Sequence, residues 1–92
     1  MKPIRWSAEK SLSLKAERGV SFEEVLSAIS QGGLLSVMNH PNRAKYGHQK
    51  VIVVRIRDYA YLVPYVEGEN EIFLKSIIPS RKATRAFLSG GK

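Results

Sequence analysis

The sequence predicts one α+β domain, ordered β-α-α-β-β-β-β-α, with helices packed on a small antiparallel sheet. Three observations lead there. The first 33 residues contain two well-marked helix starts. Residues 50–78 contain three runs rich in Val, Ile, Tyr and Phe, separated by short turns. The chain has 92 residues, enough for one core and no more.

Each element has its own local signal. Lys2 to Trp6 alternates, with Ile4 and Trp6 on one face, and reads as a first strand. Ser7 is a good N-cap and Glu9 suits the positive end of a helix dipole, so a helix is expected over 8–18. Leu12 and Ala16, one turn apart, are its expected inner stripe, and Gly19 ends it. In "VSFEEV", Ser21 and Glu24 stand at capping-box spacing and Val20 and Val25 at hydrophobic-staple spacing. Phe22, Val25, Leu26 and Ile29 then form one buried stripe, stopped by Gln31-Gly32-Gly33.

After Gly33 the period changes. "LLSVM" is a short strand and "NHPNRAKYGHQ" a polar loop. "KVIVVRIR", "YAYLVPYVE" and "EIFLKSII" follow as strands, with Asp58 and then Glu67-Gly68-Glu69-Asn70 between them, which implies an antiparallel meander. Pro64 inside a strand suggests a bulge or an edge position. A last helix is expected from about Arg81 to Leu88, capped by Ser80 behind Pro79.

The charge is +7, with a pI near 10.0. Residues 1–33 contribute +1 (five Lys/Arg, four Glu) and residues 34–92 contribute +6 (ten Lys/Arg, four acids). Such a surface attracts polyanions, nucleic acid among them. With no cysteine, disulfides, thiol nucleophiles and thiolate metal sites are excluded. Asp58 is the one aspartate and no His-x-x-x-His occurs, so neither metal nor cofactor is expected. No apolar run approaches the roughly 20 residues of a membrane span, and no signal peptide opens the chain, so a cytoplasmic location is expected.

Alternation sorts the strand residues by face. Ile52, Val54 and Ile56 form a core face; Val51, Val53, Arg55 and Arg57 form one that turns basic. Tyr59, Tyr61, Val63, Tyr65 and Glu67 share a face, as do Glu71, Phe73, Lys75 and Ile77. Cations interleaved with tyrosines suit single-stranded RNA, holding phosphates and stacking bases; the same residues also suit a soluble sheet face. His40 and His48 lie in the polar loop, as turn residues or as acid–base groups.

"IIPSRKATR" is the most unusual stretch. Arg81 and Lys82 open a helix where carboxylates are preferred, and Arg81 and Arg85 at i, i+4 repel each other. A phosphate would relieve this, since a helix start already offers free N–H groups. A partner's acidic side chain, or Glu67 or Glu71 of this chain, would also serve.

Several stretches together resemble a family. "IRWSAEKSLSLKAERGVSFEEV" resembles the opening of the BrnT group of toxins from bacterial type II toxin–antitoxin systems, where a Trp-bearing strand leads into two helices separated by a glycine. "EIFLKSIIPSRKATR" is similar to that group's closing strand and arginine-rich helix, and "YAYLVPYVE" fits the strand order between them. The likeness spans residues 3–87.

It implies a RelE-like fold and an endoribonuclease that arrests translation. It also implies neutralisation by an antitoxin from the adjacent gene, typically a ribbon-helix-helix protein that brings operator DNA into the complex. Arg81, Lys82, Thr84 and Arg85 match the closing motif, and Lys75 stands where relatives often have Arg. Related toxins use a late tyrosine or histidine; this chain has none after Tyr65.

The reading that follows is 2′-hydroxyl attack on RNA without a metal. Arg81, Arg85 and Lys75 stabilise phosphoryl charge, and Glu67, Tyr65 or His40 moves protons. Arg55, Arg57, Tyr61, Lys82 and Thr84 contact RNA. The alternative is a non-catalytic basic module that binds nucleic acid or an acidic protein.

Overall fold

A computed structural model describes residues 2–39 and 49–88. In chain order the elements are β1 (Ile4–Arg5), α1 (Ala8–Arg18), α2 (Phe22–Ser30), β2 (Leu34–Asn39), β3 (Gln49–Ile56), β4 (Tyr59–Glu67), β5 (Ile72–Leu74), β6 (Ile78–Pro79) and α3 (Arg81–Leu88). The fold is α+β, as expected. The sheet order is β1-β5-β4-β3-β2, with β6 also paired to β4. β2 through β5 form the antiparallel meander. The sheet is nevertheless mixed, because β1 lies parallel to β5, with Ile4 beside Ile72.

Local chemistry accounts for the helix boundaries. The Lys10 amide donates to Ser7 Oγ at 3.2 Å, and Gly19 closes α1 at φ 76°, a left-handed conformation that suits glycine. Ser21 and Glu24 form the reciprocal capping box, and Val20 and Val25 are both buried. The inner face of α1 differs from expectation. Leu12 is 75% exposed and Ala16 is exposed, whereas Ser11 and Leu14 are buried. Ser11 Oγ accepts the Phe22 amide at 3.0 Å and donates to Glu23 at 2.8 Å. A polar residue therefore occupies the contact line, because it satisfies a buried N–H at the start of α2.

Both faces of the sheet are covered. On one, Leu14, Val20, Phe22 and Val25 pack against Val54, Ile56, Val63, Tyr65, Leu74 and Ile77. On the other, Ala83 of α3 packs against Val53 and Ala60, flanked by Leu35, Leu62 and Leu88. Gly33 sits where α2 hands over to β2. Its N–H reaches Ala28 O at 2.7 Å and its carbonyl accepts the Arg55 amide at 2.8 Å. A Cβ there would lie 2.8 Å from Ala28 O and 2.9 Å from Arg55 O, so only glycine fits.

Three strand details depart from the sequence reading. The run 71–78 is two strands, β5 and β6, with a break between them. Leu74 and Ile77 both face the main core, so Ile77 does not share the Lys75 face. Pro64 makes neither a bulge nor an edge. It sits in the continuous β3–β4 register opposite Val51, and its carbonyl accepts the Lys75 amide at 2.8 Å. Its missing N–H falls where the partner of β4 changes from β5 to β6, so no ladder bond is lost. Arg57 belongs to a turn rather than to β3. It and Asp58 have φ of 51° and 65°, the positive pair of a type I′ hairpin.

Arg57 holds that unusual conformation with help. Its guanidinium donates to Glu24 at 2.6 Å and to Gly19 O at 2.8 Å. Lys15 donates to the same Glu24 carboxylate at 2.7 Å. Partial burial works to raise the Glu24 pKa; the bonds from Lys15 and Arg57 outweigh it and bring it to about 2 from 4.5. A lowered folded-state pKa stabilises the fold above the unfolded value and loses that contribution as pH falls from 4.5 towards 2. Glu24→Gln, which keeps the capping geometry, is expected to cost about 1–2 kcal/mol at pH 7, allowing for the exposed partners. Urea unfolding at pH 7 and pH 3 checks this, and the deficit should shrink at the lower pH. No described helix is long and apolar enough to cross a membrane.

Candidate nucleic-acid interface

The register decides which predicted site residues meet. Val54 lies opposite Tyr61, Ile52 opposite Val63 and Lys50 opposite Tyr65, so the tyrosines of β4 share the face covered by α1 and α2. Arg55 lies opposite Ala60, on the face covered by α3. The expected interleaving of Arg55 with Tyr61 therefore does not occur, because an odd–even offset across the hairpin puts them on opposite faces. Tyr61 packs against the core and edge-to-face on Tyr59, with ring centroids 5.6 Å apart. Arg57 is a latch to α2, as described above.

Tyr65 and Glu67 stand at the far end of β4. Tyr65 is only 7% exposed; burial and then the charge of Glu67 push its phenol pKa up. Glu67 accepts from Lys2 at 3.0 Å, and Lys50 Nζ lies 3.7 Å away. The Lys2 bond and charge, with Lys50 adding to them, hold its carboxylate below the usual range and make it a weaker base. His40 lies outside the described residues.

α3 begins at the opposite end of β4, on the other face. The Ser80 amide donates to Ala60 O at 3.0 Å, and Ser80 Oγ caps the Ala83 amide at 3.0 Å. Seven residues of strand separate Ala60 from Glu67, about 20 Å. Glu67 and Glu71 therefore cannot neutralise the start of α3; Glu71 instead lies 3.6 Å from Arg5. Nor can Tyr65 or Glu67 serve a phosphate held by Arg81 and Arg85. Thr84 has a structural role: its hydroxyl donates to Ser80 O and accepts the Ala60 amide, both at 2.8 Å. Arg81, Lys82 and Arg85 are exposed.

Charge is segregated along the chain. Residues 49–57 and 72–88 carry Lys50, Arg55, Arg57, Lys75, Arg81, Lys82 and Arg85 and no carboxylate, and β2 is uncharged. The eight acids fall in 1–33 (Glu9, Glu17, Glu23, Glu24) and in 58–71 (Asp58, Glu67, Glu69, Glu71). Phe73 pairs with Val66 on the sheet face away from the main core, and Lys75 Nζ lies 5.6 Å from its ring centroid. Between α3 and the sheet runs a groove of about 300 Å³, lined by Met38, Leu62, Ser80, Lys82, Ala83, Ala86 and Phe87. The sequence reading missed the groove, since Met38 and Phe87 are far apart along the chain. Phe73 was detectable from its spacing to Lys75.

Searches with this chain find no matching family model, no matching curated protein and no matching solved structure.

Proposed function

We propose that the α3 side of the sheet binds RNA, and that the chain is the RNA-directed toxin of a bacterial type II toxin–antitoxin pair with a RelE-like fold. The observation that carries this is the segregation of charge. Arg55, Lys75, Arg81, Lys82 and Arg85 lie on this side, the segments that bring them (β3, residues 72–75 and α3) hold no carboxylate, and Phe73 is available for stacking beside Lys75. The BrnT-like opening and closing stretches supply the toxin reading, and with it an adjacent-gene antitoxin and action in the cytoplasm.

In this reading the RNA 2′-oxygen attacks the adjacent phosphorus, the bond to the 5′-oxygen breaks, and a 2′,3′-cyclic phosphate remains. Arg81 and Arg85, one helical turn apart, bind the phosphoryl oxygens as charge builds on them. Lys75 hydrogen-bonds beside Pro64, four residues along β4 from Ala60 and so about 13 Å away, and suits a neighbouring phosphate. Protons exchange with water, because Tyr65 and Glu67 are on the wrong face.

That placement also favours a second reading, in which the surface binds RNA without cutting it. Purified protein incubated with RNA, with and without a chelator, separates the two. Cleavage that persists with the chelator supports the nuclease; binding without cleavage supports the module; neither outcome with any RNA removes both.

A further inference from the structure

Among the described residues, β2 is an end strand of the sheet and pairs only with β3. No described strand pairs with its other edge. Edge strands are usually blunted by charge or proline, and Leu34–Asn39 has neither. A register shift between Leu34 and Ser36 interrupts its start; from Ser36 to Asn39 the pairing with β3 is regular. Val37 is 51% and Met38 43% exposed, on opposite faces of this edge. Met38 is also the rim of the apolar groove whose far wall is Phe87, itself 42% exposed. An open edge and an apolar slot thus adjoin, which is the pairing that strand addition uses: backbone bonds for affinity, a pocket for side-chain choice.

The occupant follows from charge. β2 carries none, and its neighbours β3 and α3 carry only cations, with Lys82 on the groove wall. A second copy of this chain would bring another +7 and the same cation-only face. We infer that the β2 edge accepts an extended segment of a partner protein in which an apolar residue has acidic residues two positions away, on the same face. One apolar side chain sits between Met38 and Phe87, and carboxylates face Lys82 and Arg81. This stands on the edge and the groove and does not require the RNA reading. If that reading also holds, the partner lies against the arginines and excludes RNA from them.

The test uses the full chain and phage-displayed random peptides of about 10 residues. Selected peptides are expected to carry Asp/Glu two positions from a Val, Ile, Leu or Phe. Titrated as synthetic peptides, they should shift the backbone amide resonances of residues 36–39 and 82–87. Val37→Glu and Met38→Glu, both at exposed positions, should each weaken binding about tenfold or more with the melting temperature unchanged. A selection without that pattern, shifts confined to other residues, or equal affinity in both variants overturns the inference. So does a short oligouridine that shifts residues 36–39 where no acidic peptide does, which would make the edge part of an RNA surface. Loss of RNA binding alone, with peptide binding kept, contradicts the proposed function and leaves this inference intact.

Discussion

Replacing Arg81 and Arg85 together by alanine is expected to cut RNA affinity about 10- to 100-fold at low salt and to abolish growth arrest on induced expression. Both residues are exposed on α3, a helix with no acid in its first turn. Each arginine that contacts a phosphate releases counterions, so losing two should flatten the slope of log affinity against log salt by about 1.4 for a single strand. The fold should tolerate the change. Alanine is the better helix former, and removing a cation from the first turn relieves the helix dipole. The Ser80 cap and the Thr84 bridge to Ala60 remain in place. Fluorescence anisotropy over a salt series, with circular dichroism as the folding control, reads the result. A folded double variant with wild-type affinity and slope would remove α3 from the interface.

Phe22→Ala is expected to cost about 3–5 kcal/mol, a large part of the stability of a domain this small. Phe22 is completely buried, at the first position of α2. Its ring stands 5.9 Å from that of Trp6, which ties β1's exit to the helix pair. Around it Leu14, Val20, Val25 and Leu74 are also buried, so the cavity has rigid walls and little room to collapse. The Ser11 bond to the Phe22 amide is unaffected, so the loss reports packing alone. Urea unfolding should show a lower midpoint with a nearly unchanged slope. A loss below about 1 kcal/mol would mean that the main core is not centred on α2.

The comparison of sequence with structure divides by range. Features written in neighbouring residues were legible: the Ser7 and Ser21 caps, the capping box, the Gly19 stop and the bounds of α3. Features set by pairing between distant segments were not. Alternation correctly grouped Ile52, Val54 and Ile56, yet it could not say which face of β4 meets which face of β3. One residue of offset placed Tyr61 on the helix-pair side and Arg55 on the α3 side. The same limit separated Tyr65 and Glu67 from Arg81 and Arg85, although all four lie within 21 positions (65–85) of the sequence. β1's parallel pairing with β5 joins chain positions nearly 70 apart, and two residues of strand carry no direction signal. The inner face of α1 was misread because Ser11 is buried for its hydrogen bonds, which hydrophobic periodicity cannot register. The positive charge on α3 was visible from the start. That Glu67 and Glu71 cannot neutralise the start of α3 became visible only once β4 put them about 20 Å away.

The central claim is that RNA lies on the α3 side of the sheet. Backbone amide shifts on titration with an oligouridine of about 10 nucleotides test it most directly. Shifts are expected at residues 81–85 and at Phe73 and Lys75, with Lys50, Tyr65 and Glu67 on the opposite face unmoved. Shifts concentrated at Lys50, Tyr65 and Glu67, with residues 81–85 unmoved, would contradict it.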